Sequence, residues 1–146
     1  MNKSNGYEDI AAIFIKNREQ AVQGIGASSV RDWAKTLPAN ATVLDLGCGT
    51  GIPVAKVLLD EGMRIYGVDA SPTMVQTFRQ NFPNTPVVCE AVEASLFFNR
   101  EFDAIAAWGL LFLLPQEVQK IVIQKAGNAL QTGGKLLFTA PSQRVD

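Results

Sequence analysis

The sequence predicts an α/β domain: a three-layer, doubly wound, mostly parallel sheet with helices at its N-terminal end. Three observations predict it. From residue 41 onward, short apolar runs of strand type alternate with longer stretches of helical spacing. No two-residue hairpin turn joins any two of those runs, so the strands are parallel and covered on both faces. The first run is followed at once by a glycine-rich turn and then by a helical pattern, the order of a strand–turn–helix unit.

The elements follow in order. Ala41 to Leu46 is a short buried strand, and residues 52 to 61 place Val54, Val57 and Leu58 at helical spacing, with Gly62 as the C-terminal cap. Arg64 to Asp69 is the second strand. Ser71 and Pro72 then read as an N-cap followed by proline in the first helical position. The helix they open carries Val75, Phe78 and Phe82 on one face. Pro86 to Glu90 is the third strand and Phe102 to Trp108 the fourth. Pro115 opens a helix whose stripe of Val118, Ile121, Val122, Ala126, Ala129 and Leu130 ends at Gly133 and Gly134. Lys135 to Ala140 is the fifth strand.

Ahead of all this lies a helical lead-in, residues 1–40. Ile10, Ile13, Phe14 and Ala21 share one face, and Val30, Trp33, Ala34 and Leu37 follow a helical stripe that Pro38 stops. With no repeat, linker or low-complexity stretch, residues 1–146 read as a single domain, its α/β core at 41–146.

Composition narrows the chemistry. Of 146 residues, 47% are hydrophobic and 18% charged, as in a folded globular chain. Thirteen Lys plus Arg against 14 Asp plus Glu leave a net charge of −1, which gives no electrostatic footprint for nucleic acid or an anionic membrane. The absence of histidine removes the commonest general base and metal ligand. Cys48 and Cys89 form no CxxC pattern and suit a reducing compartment. Cys48 reads as a small buried residue, and Cys89 as inert in a buried strand. The N-terminus lacks the apolar core of a signal peptide, and no run is long enough to span a membrane. The expectation is a soluble cytoplasmic protein without a metal site.

The informative segment runs from Val43 to Gly51. A glycine turn between strand and helix brings main chain, free of side chains, to the carboxyl ends of the strands, where open parallel sheets bind ligands. Asp69 ends the next strand, placed to accept both hydroxyls of a ribose. An adenosine-like nucleoside is therefore expected across the first two strands. The dinucleotide pattern G-x-G-x-x-G/A is only half met: Gly47 and Gly49 fit, but Ile52 stands at the third position and the third glycine falls at 51. Asp45 sits in the mouth of the turn, where it opposes a pyrophosphate and favours a cation.

The D-x-G-x-G-x-G turn, Asp45 with Gly47, Gly49 and Gly51, resembles the cofactor signature of class I S-adenosylmethionine-dependent methyltransferases. The likeness continues through Gly67-Val-Asp69-Ala-Ser71-Pro-x-Met74, Phe102-Asp103-Ala, Trp108-Gly109-Leu and Ala129-Leu130-x-x-Gly133-Gly134-Lys135, covering roughly residues 40 to 140. The resemblance implies a Rossmann-like methyltransferase fold with strand order 3-2-1-4-5. It also implies S-adenosylmethionine as cofactor, with S-adenosylhomocysteine as product. By the same resemblance, the backbone of Gly47, Cys48, Gly49 and Gly51 touches the methionine portion and Asp45 lies near its amino group. Asp69 holds the ribose, and Ala70 and Met74 lie near the adenine. Ala91 stands where many members have an aspartate at the adenine edge, so that contact is absent or passes to Glu93, beside Val92. Trp108 and Gly109 line the pocket near the sulfonium, and Arg18 reaches the cofactor carboxylate from the lead-in, which acts as a lid.

Glu90 and Glu93 read as a helix start and a surface charge rather than an acid–base pair, and no catalytic residue is nominated. The family's asparagine-proline-aromatic motif is absent, which favours a small-molecule acceptor. The sequence stops before the antiparallel strand pair that usually follows the fifth strand. That leaves Lys135 to Ala140 as an edge expected to pair with a second copy or to be covered by the N-terminal helices. The alternatives are a C-terminally truncated domain that binds the cofactor without turnover and a nicotinamide-dependent reductase.

Overall fold

The computed structural model describes residues 25–107 and 114–138. The chain runs as α1 (Ile25–Ala34), β1 (Thr42–Leu46), α2 (Val54–Asp60), β2 (Arg64–Asp69), α3 (Pro72–Asn81) and β3 (Val87–Cys89). A short 3₁₀ turn (Phe97–Asn99), β4 (Phe102–Ala107), α4 (Gln116–Ala129) and β5 (Leu130–Phe138) follow. The expected helix bearing Ile10, Ile13, Phe14 and Arg18 lies outside the described residues, as do Trp108 and Gly109.

All strand pairings are parallel, in the order β3-β2-β1-β4-β5. Alternation along the strands sends successive side chains to opposite faces. Val43 of β1 and Ile65 of β2 therefore join α1, α2 and α3 in one buried cluster with Val30, Val57 and Phe78. Leu44, Leu46 and Val68 face the other way and meet Phe102, Ile105 and the α4 residues Val118, Val122 and Ala126. Helices on both faces make the three layers that the unbroken apolar strands require. They also leave the loops after β1 and β2 together at one end of the sheet.

Local chemistry sets the helix boundaries. The Ser71 hydroxyl accepts from Met74 N at 3.2 Å and Pro72 opens α3, as the Ser-Pro pair predicts. Gly62, at φ +88°, follows the last turn of α2, and its N–H donates to Leu59 O at 3.0 Å.

Four expectations need correction. The helix that Pro115 opens ends at Ala129, not at the glycine pair, because Leu130 is already extended (φ −83°, ψ 140°) and pairs with Phe102. β5 thus begins five residues before Lys135, and its register jumps from Phe102↔Leu130 to Ala104↔Lys135. Gly133, at φ +82°, absorbs the bulge. Ile121 is 45% exposed, since the buried stripe of α4 is only as wide as Val118, Val122 and Ala126. Cys89 is exposed rather than buried, because β3 is a three-residue edge strand and Cys89 is its last residue. Residues 92–94 form a turn, with Ala94 N donating to Ala91 O, where a helix start was expected.

Candidate functional site

The site is assembled where β1 and β2 end. Asp45 and Asp69 are each only 1% exposed. Strand alternation puts them on the same side of the sheet as Val43 and Ile65, and β1 and β2 are neighbours in register, Asp45 opposite Gly67. Two carboxylates at adjoining strand ends give this end of the sheet a local negative charge in a chain that is nearly neutral overall.

The turn between β1 and α2 is shaped by three left-handed glycines, with φ of 68° at Gly47, 58° at Gly49 and 88° at Gly51. Their N–H groups point back into the protein. Gly47 N and Cys48 N both donate to Val68 O, at 2.7 and 3.1 Å, and Gly51 N donates to Cys48 O at 3.0 Å. Gly49 N donates to Asp69 Oδ2 at 2.8 Å, while Ser71 N donates to Asp69 Oδ1 at 2.9 Å. One carboxylate therefore fastens the turn after β1 to the turn after β2. Thr50 O accepts from Asn81 Nδ2 at 3.0 Å, which ties the turn to the end of α3.

Gly51 has a packing reason to be glycine. A Cβ there would stand 2.4 Å from Cε2 of Phe82 and 3.1 Å from Cδ2 of Phe78, so one ring of α3 and one just past its end fill that side of the turn. Cys48 is buried in the same cluster, its Sγ over Gly67, where a Cβ would meet it at 2.9 Å. Both observations give these residues a role in holding the loop.

A pyrophosphate cradle needs N–H groups aimed outward and a helix N-terminus behind them. Here the N–H groups of Gly47, Cys48, Gly49 and Gly51 are engaged internally, Ile52 N donates to Thr50 Oγ1, and the residue capping α2 is Pro53, which has no N–H. With two buried carboxylates alongside, the arrangement suits a cation bearing hydroxyls and rejects a dianion. S-adenosylmethionine, with its ammonium, sulfonium and ribose diol, fits that donor and acceptor set.

The remaining expected site residues divide. Met74 is fully buried at the start of α3, Ala70 is half-buried between Asp69 and Ser71, and Val92 and Glu93 follow the end of β3. Arg18, Trp108 and Gly109 fall outside the described residues. Asn81 and Lys125 are contributors that sequence reasoning missed. Each acts through a contact some thirty residues away along the chain, and nothing in their local spacing marks them.

The family described as a methyltransferase domain matches residues 43–134, which begin with β1 and end in the bulge of β5. The chain belongs to the class I S-adenosylmethionine-dependent methyltransferases. Among similar methyltransferases, the cypemycin N-terminal methyltransferase of a Streptomyces species is 36% identical over 98 residues, 64% of this chain and 39% of that protein. A tRNA U34 carboxymethyltransferase of Aliarcobacter butzleri is 30% identical over 100 residues, 66% of this chain and 32% of that protein. The chain thus spans well under half the length of these curated relatives. A TehB-like S-adenosylmethionine-dependent methyltransferase from Corynebacterium glutamicum shares the fold, with a TM-score of 0.78 at 20% identity over 92% of this chain and 74% of that one. No described helix of this chain is long and apolar enough to cross a membrane.

Proposed function

We propose that this chain binds S-adenosylmethionine across the ends of β1 and β2 and transfers its methyl group to a small-molecule acceptor. The observation that carries the reading is the inward-turned glycine loop between two buried carboxylates, Asp45 and Asp69. Bound there, the cofactor supplies an already activated methyl group on a sulfonium. Asp69 accepts from the ribose hydroxyls while its N–H contacts keep the two turns in place. Asp45 faces the amino group, and the main chain from Gly47 to Gly51 borders the methionine portion. Ala70, Met74, Val92 and Glu93 enclose the adenine, Trp108 and Gly109 border the sulfonium, and Arg18 meets the carboxylate.

Alignment of an acceptor with the departing sulfur accounts for most of the acceleration in such a reaction, and no general base is required unless the acceptor must lose a proton. The near-neutral charge supports a small acceptor over a nucleic acid. We assign the protein to the cytoplasm and read it as a single domain whose helical lead-in, residues 1–40, joins the core through α1. Among the described residues β5 pairs with no strand but β4, which supports pairing of its open edge with a second copy. Sedimentation equilibrium at rising concentration tests that pairing, and a strict monomer rules it out.

Calorimetric titration with S-adenosylmethionine, S-adenosylhomocysteine and NADH tests the cofactor. The first two bind and NADH does not; the reverse order removes the proposal. Release of S-adenosylhomocysteine in the presence of a metabolite panel, with bulk tRNA as the competing acceptor, then separates turnover from binding alone and a small acceptor from RNA.

A further inference from the structure

We infer that Lys125, on α4, is a positioning residue that holds the adenine-facing wall of the cofactor pocket; the inference rests on the cofactor reading above. The wall is the segment from Glu90 to Glu101, which joins β3 to β4 without an α-helix. Its local preferences work against its shape. Phe97, Phe98 and Asn99 stand in succession at φ 50°, 58° and 53°, left-handed backbone that bulky L-residues avoid. Contacts from outside must therefore hold it.

Lys125 supplies them. Its ammonium donates to Glu93 O at 3.0 Å and to Ser95 O at 2.5 Å, and lies 5.0 Å from the centre of the Phe97 ring. Within the segment, Ser95 Oγ accepts from Phe97 N at 3.1 Å. The bridged carbonyls lie just beyond Val92, which is 4% exposed and packs in the same cluster as Leu46 and Val68, at the ends of β1 and β2. One cation thus ties α4 to the stretch that follows Val92. Removing it leaves two carbonyls without this donor and releases Glu93 to Ser95, while the Asp45–Asp69 end of the pocket keeps all of its own hydrogen bonds.

The two ends of the pocket can be probed separately. S-adenosylhomocysteine carries adenine, whereas S-ribosylhomocysteine has the same amino acid and ribose without it. Calorimetry on the wild type, Lys125→Met and Lys125→Arg measures both. Lys125→Met is expected to weaken S-adenosylhomocysteine about ten-fold while changing S-ribosylhomocysteine less than about two-fold, and Lys125→Arg restores the preference. A purely structural lysine lowers both affinities alike, and that result overturns the inference. Wild-type protein that ignores S-adenosylhomocysteine overturns the cofactor reading as well. Binding by the wild type with an unchanged preference in Lys125→Met overturns this inference alone.

A measurement on unaltered protein covers the case in which the variants do not fold. Because coupling is reciprocal, S-adenosylhomocysteine slows acetylation of Lys125 relative to the exposed Lys120, and S-ribosylhomocysteine does not. Equal rates of Lys125 acetylation with the two ligands overturn the inference.

Discussion

Replacing Asp69 by asparagine tests the centre of the argument, because the two side chains have the same shape and differ in what they offer. The carboxylate accepts Gly49 N on one oxygen at 2.8 Å and Ser71 N on the other at 2.9 Å. An asparagine retains one carbonyl oxygen and turns an NH₂ group toward the second N–H, so one buried donor faces another. The loss is one hydrogen bond to a charged group, about 1.5 to 3 kcal/mol, plus the cost of leaving a buried N–H unsatisfied, about 1 to 3 kcal/mol. Relaxation of the turn recovers part of this, and a net destabilisation of about 2 to 4 kcal/mol is expected. Set against a total stability of about 5 to 15 kcal/mol, the variant still folds. Urea unfolding followed by circular dichroism reads the loss as a lower midpoint with an unchanged slope. On the folded variant, titration with S-adenosylhomocysteine should show affinity weaker by about 1 to 3 kcal/mol, roughly five- to 150-fold, from the missing acceptor for the ribose. Stability within about 0.5 kcal/mol of the wild type would refute the account of the turn. Full stability loss with unchanged affinity would refute only the ribose assignment.

Gly51→Ala should lower stability by about 2 to 5 kcal/mol, from a left-handed φ of +88° and a Cβ set against Phe82. Differential scanning fluorimetry checks this, and adding Phe82→Ala to the variant should recover the steric share while leaving the backbone share. Ser71→Ala removes the N-cap of α3 and should cost about 0.5 to 2 kcal/mol, seen as faster amide exchange of Met74. Arg100, whose guanidinium lies 4.6 Å from the Tyr66 ring centre at the exposed surface, contributes about 0.5 to 1 kcal/mol. Arg100→Ala should therefore lower stability by about that amount, read as a lower midpoint in urea unfolding.

What the sequence made legible was whatever depends on neighbours along the chain. β2 has its expected bounds, Arg64 to Asp69, because an alternating apolar run is closed by an acid and a Ser-Pro cap. Burial of Asp45 and Asp69 follows from strands that are covered on both faces. The misreadings have a common origin in position across the sheet. Cys89 looks buried in a run of Val-Val-Cys, yet its exposure is decided by β3 being outermost and short. Leu130 completes a helical stripe by spacing, but its pairing with Phe102 draws it into β5. The Lys125 contacts to Glu93 and Ser95 join separate elements, so no window of sequence contains them.

The same distinction explains why counting glycines does not identify the ligand. A Gly-x-Gly turn after a parallel strand is compatible with a phosphate or with a cation, since the glycines only permit left-handed backbone and close approach. The polarity of the site is decided by where the freed N–H groups go. In this chain Val68 O takes two of them and Asp69 takes a third, so the loop turns its donors away from the ligand side. Asp69 is thereby both an anchor of the loop and part of its negative charge, and one of the N–H groups that would have welcomed an anion, that of Gly49, donates to this carboxylate instead. A ligand at this end of the sheet is met by two carboxylates and by a turn in which the N–H groups of Gly47, Cys48, Gly49 and Gly51 are already engaged, which is an environment for a cationic nucleoside.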